Sequence, residues 1–430
     1  MPSSKTLTLA LLASVASAAC RKTCVVPKSN GTESDSLAIQ ETFDRCSKDS
    51  TILFQEGVDY NVFEPIAALS LDNVIISVQG NLHLPQDIPT VQQIVVGNGG
   101  RVEWFEFKGK DVQYIGSEDI TTGWIYSYGQ AWWQANPAGS TGIANRPHLM
   151  RLTFTNGIIK HLKSHKPIGW NVSVKGSNIT ISNAVIDAVS EDWSFPFNTD
   201  GFGIGATDVF VTDCVIYNGD DAFAINDGAH NVHVQRSTIG YETHGMSIGS
   251  LGSDVNKFYN VSNIHFEDIT VAGGLYAARF KSWAGGQGLT ENVSWKNIRT
   301  ANVTFPIFIT QTYSDQGVSS SARPNNSSVL MRNFKWENWT GSINSYNPGD
   351  GSCASDPCWY NVGLPNLEHN EAIIIECNEK DSCSDFELKN IRLYPQDMSK
   401  PPTVICENVE AGLNPNLGIS CRNGTFIPEY

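Results

Sequence analysis

Beyond Thr51 the chain alternates apolar and polar residues in short phrases that keep returning. Each opens on Asn or another polar residue and runs on through alternating β-branched positions. The series is NVIISVQG from Asn73, NITISNAVI from Asn178, DVFVTDCVIYN from Asp208 and NVHVQRSTI from Asn231. It continues with NIHFEDITV from Asn263, NVSWKNIRT from Asn292 and SVLMRNFKW from Ser328. Period-two alternation marks strands that bury one face. From Asn178 the starts lie 30, 23, 32, 29 and 36 residues apart. Repetition on this scale predicts a solenoid, because one such unit cannot bury its apolar face except against its neighbours. With Asn or Gly at the corners, the expected architecture is all-β: a single right-handed parallel β-helix, with coils of about 22–25 residues and loops of variable length. A propeller or sandwich would need hairpin turns, and no two of these phrases are joined directly by a two-residue Asn-Gly or Asp-Gly turn. Helical periodicity is confined to the start. SDSLAIQETFDRC offers Ser34 or Asp35 as a cap, with Leu37, Ile39, Thr42 and Phe43 on a partly apolar face. Such a helix would cover the open first coil, otherwise an exposed edge.

The first residues read as a processing signal. Lys5 precedes the apolar run LTLALLASVA, and Ala16-Ser17-Ala18 is a small-residue cleavage pattern, so residues 1–18 are expected to be removed and 19–430 to form one domain. No later apolar run is long enough to span a bilayer, which predicts a secreted, extracellular protein without a membrane partner. Ten Asn-x-Ser/Thr sequons, at Asn30, Asn171, Asn178, Asn260, Asn292, Asn302, Asn325, Asn326, Asn338 and Asn423, agree with that compartment. So do ten cysteines. Cys353/Cys358, Cys377/Cys383 and Cys406/Cys421 are local pairs; Cys20, Cys24 and Cys46 leave one of three unmatched; Cys214 reads as a buried free thiol. None of the spacings makes a zinc site, and no metal or cofactor is expected. The formal charge of −15 excludes nucleic acid as a partner, since phosphate binding needs a basic face. An anionic polysaccharide would be repelled too, except near the sequence pI of about 5.0, so such a substrate implies an acidic working pH.

Candidate chemistry emerges once the coil period is laid over the acidic residues. Asp200 and Asp220 are 20 residues apart, and Asp221 and His244 are 23 apart. Residues one coil apart sit side by side at the inter-strand spacing of about 4.8 Å. Three carboxylates and an imidazole should therefore converge on one patch. Arg279 and Lys281, in ARFKSW, lie one coil plus a loop beyond His244 and alternate on a strand, so both heads face one side. NTDG (198–201) and NGDD (218–221) read as bends, where adjacent aspartates can face one cleft. Glycoside hydrolysis needs a protonated carboxyl for the leaving oxygen and an ionised one for water, and crowding raises a carboxyl's proton affinity. Taken singly, NGDD is an ordinary turn, NTD an Asx turn, His244 a surface or capping histidine, and Arg279/Lys281 a solvated face. The ordered set at coil spacing carries the functional reading.

These residues resemble the four motifs of glycoside hydrolase family 28, the polygalacturonases and related pectin-degrading enzymes: NTD, (Q/G)DD, (G/S)HG and RIK. Here they stand as Asn198-Thr199-Asp200, Gly219-Asp220-Asp221, Thr243-His244-Gly245 and Arg279-Phe280-Lys281. The likeness extends from SLAIQETFDRC and GQAWWQ (129–134) to the C-terminal cysteines. It implies Asp220 as general acid, Asp200 and Asp221 holding and activating water, and His244 tuning the acid's proton. Asn198 would belong to the substrate site. Arg279 and Lys281 would grip a galacturonate carboxylate, a charge-assisted pairing that gives a neutral sugar nothing. Tyr313, in ITQTYSDQ, would stack on or hydrogen-bond a sugar. Carboxylates about 5 Å apart suggest retention by the usual spacing rule, whereas the family inverts, with water between closely set aspartates. Two departures accompany the match. Ala222 and Gly240 stand where many relatives carry a bonded cysteine pair, and Thr243 and Phe280 depart from the motif consensus, Phe280 being expected to point inward.

RFKSW with Trp283, NRPHLM (145–150), SIGSLGS (247–253) and the paired C-terminal cysteines look more like the exo-acting members, which release terminal galacturonate. The implied substrate is the acidic cell-wall polysaccharide homogalacturonan, and a capped solenoid is expected to be a monomer. The alternatives are an endo-polygalacturonase or a rhamnogalacturonan or xylogalacturonan hydrolase of the same family. More distant readings are a Ca²⁺-dependent pectate lyase and a non-catalytic pectin-binding β-helix.

Overall fold

The computed structural model describes residues 21–313, 327–354, 358–361, 367–420 and 424–425. The processing signal expected over 1–18, Cys20, Cys421 and the sequons at Asn325, Asn326 and Asn423 lie outside them. Strands wind through parallel pairings from Lys22–Val25 to Thr403–Glu407, closing with an antiparallel pair to Gly424–Thr425. This is a parallel β-helix. On the face that carries the site, the register climbs coil by coil: Phe202 pairs with Phe223, Phe223 with Met246, Met246 with Ala278, Ala278 with Ile307 and Ile307 with Ile373. The uneven steps are insertions looped out between coils.

The interior is stacked in the same way. Phe266, Trp295 and Trp336 lie in parallel, with centroids 5.9 and 5.4 Å apart. The corner residues of the phrases occupy the left-handed backbone region, which Asn and Asp tolerate better than other side-chain-bearing residues. Their side chains bond along the axis. Asn178 donates to Asn156 at 2.9 Å, Asn292 to Asn263 at 3.0 Å and Asn333 to Asn292 at 2.7 Å. A second column runs Asn390 to Asn338 to Asn297 to Asp268 at 2.9, 3.0 and 2.9 Å. The ladder corrects one reading. Asn333, not Ser328, is the corner that follows Asn292, 41 residues on.

Helix α1, Ser36–Arg45, turns Ile39, Thr42 and Phe43 inward, and Phe43 stacks on Phe107 at 4.9 Å. Leu37, assigned to that buried face, is 71% exposed. Asp35 precedes the helix without a side-chain cap bond; its carboxylate instead accepts from Ser29 N, Asn61 N and Lys28. Two helices had no counterpart in the sequence reading: α2, Ile88–Gly97, and α3, Gly129–Gln134. For α2 the signal exists, since Asp87 caps Thr90 N at 2.9 Å with Pro89 in the first turn. Cys24–Cys46, Cys353–Cys358 and Cys377–Cys383 are bonded, which matches Cys24 with Cys46. Cys214 is free and buried, and burial pushes its thiol up to about 12.

Candidate active site

Two bends and two strands build the site. Thr199 and Asn218 hold the bends together: Asn218 Nδ2 donates to Thr199 O at 3.0 Å and Asp220 O at 2.8 Å, and Gly219 N to Thr199 Oγ1 at 3.1 Å. From the coil below, Asn171, 1% exposed, donates Nδ2 to Asp200 O at 2.9 Å. Asp221 already opens the strand Asp221–Ile225, with a register irregularity before Phe223 that lets both adjacent aspartates reach one cleft. The stacking differs by one residue from the coil count. Gly201 N bonds Asp221 O, His244 N bonds Asp220 O, and Asp221 pairs with Gly245. His244 therefore neighbours Asp220 rather than Asp221.

Asp200, Asp220, Asp221, His244, Asn198, Arg279, Lys281 and Tyr313 all line one cleft of about 710 Å³. Asp221 takes Lys281 Nζ at 2.7 Å and Ser247 Oγ at 2.5 Å, with Arg279 Nη1 at 3.8 Å. Asp220 faces His244 Nδ1 at 3.2 Å. Among the described residues Asp200 has no cation in contact, and its Oδ1 is buried without a hydrogen-bond partner. Burial, and then the charges of Asp220 and Asp221, hold its pKa well above the carboxylate range. Burial also opposes the charge of Asp220, but the His244 imidazolium, with Lys281 and Arg279 behind it, holds that carboxyl below its ordinary value. The two neighbouring carboxyls are thus pushed in opposite directions, Asp200 by burial and like charge and Asp220 by the imidazolium beside it. Asp220, Asp221 and His244 bring three donor atoms within 4.8 Å, a spacing that could hold an ion. Lys281, Arg279 and His244 itself already set positive charge against these carboxylates.

Arg279 and Lys281 are more enclosed than a solvated strand face, at 2% and 8% exposure. Phe280 between them points into the coil, fully buried. Arg279 lies over the rings of Tyr276 at 4.3 Å, Trp359 at 5.4 Å and Tyr313 at 5.6 Å. Trp283 meets Tyr313 edge-on at 5.1 Å. At Gly240 a Cβ would meet Ala272 O at 2.3 Å, so a cysteine there would need the backbone to shift.

Several lining residues were not singled out from the sequence. Arg146 binds Asn198 Oδ1 at 2.6 Å and Phe197 O at 2.7 Å while lying over Trp170, and His148 stacks on the same ring at 4.4 Å. In the sequence, NRPHLM stands out only as a family-like segment. Burial and then Arg101, Arg151 and Arg146 push His148 down to about 4, so it is neutral. Trp359 and Ser352 come from a loop that nothing but the Cys353/Cys358 pair announced.

A β-helix whose coils gather three carboxylates, a histidine and a buried cation pair in one groove is the scaffold of a glycoside hydrolase. Residues 22–366 match the model of the glycosyl hydrolases family 28, and the chain belongs to that family. It is 56% identical to the "probable exopolygalacturonase C" of Aspergillus terreus over 99% of this chain and 98% of that one. It is 57% identical to the protein of the same description in Aspergillus niger, covering 94% and 92%. Among solved structures, the endo-xylogalacturonan hydrolase of Aspergillus tubingensis superposes with a TM-score of 0.72 at 22% identity, covering 94% and 99%.

Proposed function

We propose that the protein is a secreted, inverting hydrolase of α-1,4-galacturonosidic bonds that removes galacturonate from the ends of homogalacturonan. The observation that carries this is the charge pattern of the cleft. In a chain of net charge −15, its lining brings Arg101, Arg146, Arg279 and Lys281 together with three acidic residues. The cations suit a uronate, and the carboxylates suit acid–base hydrolysis. Asp220 gives its proton to the glycosidic oxygen as the bond to the anomeric carbon breaks. Water held by Asp200 and Asp221 adds its oxygen to that carbon and passes a proton to one of them. Arg279 and Lys281, with Asn198 and Tyr313, hold the sugar. End-wise attack is supported by the relatives' description and by residues outside the strands, from 141–146 and 195–198 and at Ser352 and Trp359, which add to the lining the strands supply.

A product time course on polygalacturonic acid at mildly acidic pH, with chelator present, tests the reading. Monomer alone from the start, with slowly falling viscosity, is expected. A mixed ladder would make the enzyme endo-acting. An unsaturated, ultraviolet-absorbing product or silence on this polymer would overturn the assignment.

A further inference from the structure

His244 has a second carboxylate that no motif announces. Its Nε2 lies 2.7 Å from Asp350 Oδ2, across 106 residues of sequence, while Nδ1 faces Asp220 at 3.2 Å. The Asp350 side chain is fully buried and that of His244 is 6% exposed, while Asp220 opens to the cleft at 17%. The other Asp350 oxygen is fixed in turn. It accepts from Ser352 N at 2.9 Å and Ser352 Oγ at 2.6 Å, and Ser352 Oγ accepts from Trp359 Nε1 at 3.0 Å. Cys353–Cys358 ties this loop, and the Trp359 ring lies 5.6 Å from the His244 ring.

We infer that Asp350 is a positioning residue of the reaction: it orients the His244 ring and keeps it protonated, so that His244 can return a proton to Asp220 after each turnover. The inference rests on the hydrolase reading above. Once Asp220 has protonated the leaving oxygen, it is a carboxylate facing an imidazolium N–H. Transfer of that proton restores the acid and leaves a neutral ring, still bonded to Asp350. The ring then takes up a proton from solvent, and the one that water gave to the base returns there. Such a ring must hold a proton despite Arg279, whose Nη1 is 3.5 Å from Nδ1. The groups facing it are Asp220, Asp350 and Arg279, with an oxygen of Asp221 within 4.8 Å and the Tyr276 ring edge-on at 5.7 Å. Glu242 borders the turn after Asp350 and is pushed up to about 8, by burial and then by the charge of Asp350, so it brings no charge at acidic pH. Burial alone would lower the His244 pKa; Asp220, and then Asp350, raise it to about 9. The second carboxylate thus supports the cation that Arg279 opposes.

The Asp350→Asn variant keeps the size and the hydrogen-bonding oxygen while removing the charge. Its kcat/KM profile is expected to lose its alkaline limb about one pH unit earlier than wild type, with KM little changed at the optimum. The double variant with His244→Gln should be no worse than His244→Gln alone. An unmoved alkaline limb with a uniform fall in kcat, or additive losses in the double variant, would leave Asp350 a loop brace only and overturn the inference. ¹⁵N NMR of the imidazole reads the same point without substrate. His244 should titrate at lower pH in Asp350→Asn than in wild type, and an unchanged titration overturns the inference. This readout stands even if wild type proves silent on polygalacturonate, a result that would sink the substrate assignment instead.

Discussion

Two columns of polar side chains climb this coil, and the same stacking serves them differently. In the corner column, Asn297 donates to Asp268, accepts from Asn338 and resembles its neighbours above and below. Each rung satisfies the next, and nothing in it is left to react. In the cleft, Asp200, Asp221, Ser247 and Arg279 come from successive coils but share no single register: Asp221 pairs with Gly245, whereas Ser247 pairs with Ala224 and Arg279, so like charges meet and only some find a partner. Asp200 is the member left over. Repetition makes a scaffold; broken repetition makes a site that holds unsettled charge, as functional sites commonly do.

The largest expected effect comes from settling that charge. Asp200→Asn should lower kcat by about 10²- to 10⁴-fold, the scale of an acid–base group, while making the fold more stable. The sign follows from the raised pKa of Asp200. Its stability contribution is fully present below the unfolded value near 3.8 and is lost as pH rises towards the folded one. The variant's advantage in Tm should therefore be small at pH 3.5 and clear at pH 7. A variant that is both inactive and less stable at pH 7 would contradict the comparison. Asn297→Ala should do the reverse, costing about 2 kcal/mol for lost rungs and a left-handed Ala, with kcat unchanged; urea unfolding measures it. Asn297→Gly, which keeps the backbone freedom, should recover part of the loss. The smallest effect is expected at Trp283→Phe. It loosens the edge contact on Tyr313 and should raise KM by about two- to tenfold, as an aromatic pair of 0.5–1.5 kcal/mol would, leaving the Tm of the coil nearly intact.

What could be read from the sequence follows the same division. Strand phrases, corner asparagines and the four motifs are local patterns, so the β-helix and its eight-residue cleft set were legible. The coil count then slipped by one residue at Asp221, because a register irregularity before Phe223 has no local signature. Asp350 and Trp359 were invisible for another reason. Trp359 reaches the cleft, and Asp350 the far side of His244, from a long insertion between coils, where no period fixes what stacks on what. Leu37 fails more simply: the apolar stripe of α1 is narrow, and a position two residues before Ile39 falls on its solvent side.

The asparagine ladder also acts as a filter on where sugar could be attached to this chain. N-glycosylation joins the glycan to the side-chain amide nitrogen. Asn178, Asn292 and Asn338 are all sequons, and each commits that nitrogen to the coil beneath it. Asn171 buries its own against the Asp200 loop. Asn30, Asn260 and Asn302 are as exposed as the rungs, but among the described residues their side-chain nitrogens make no hydrogen bond. If the chain passes through a secretory pathway, glycopeptide mass spectrometry should find these three occupied and the ladder rungs bare. The spine that aligns the coils would then also keep one flank of the solenoid free of carbohydrate.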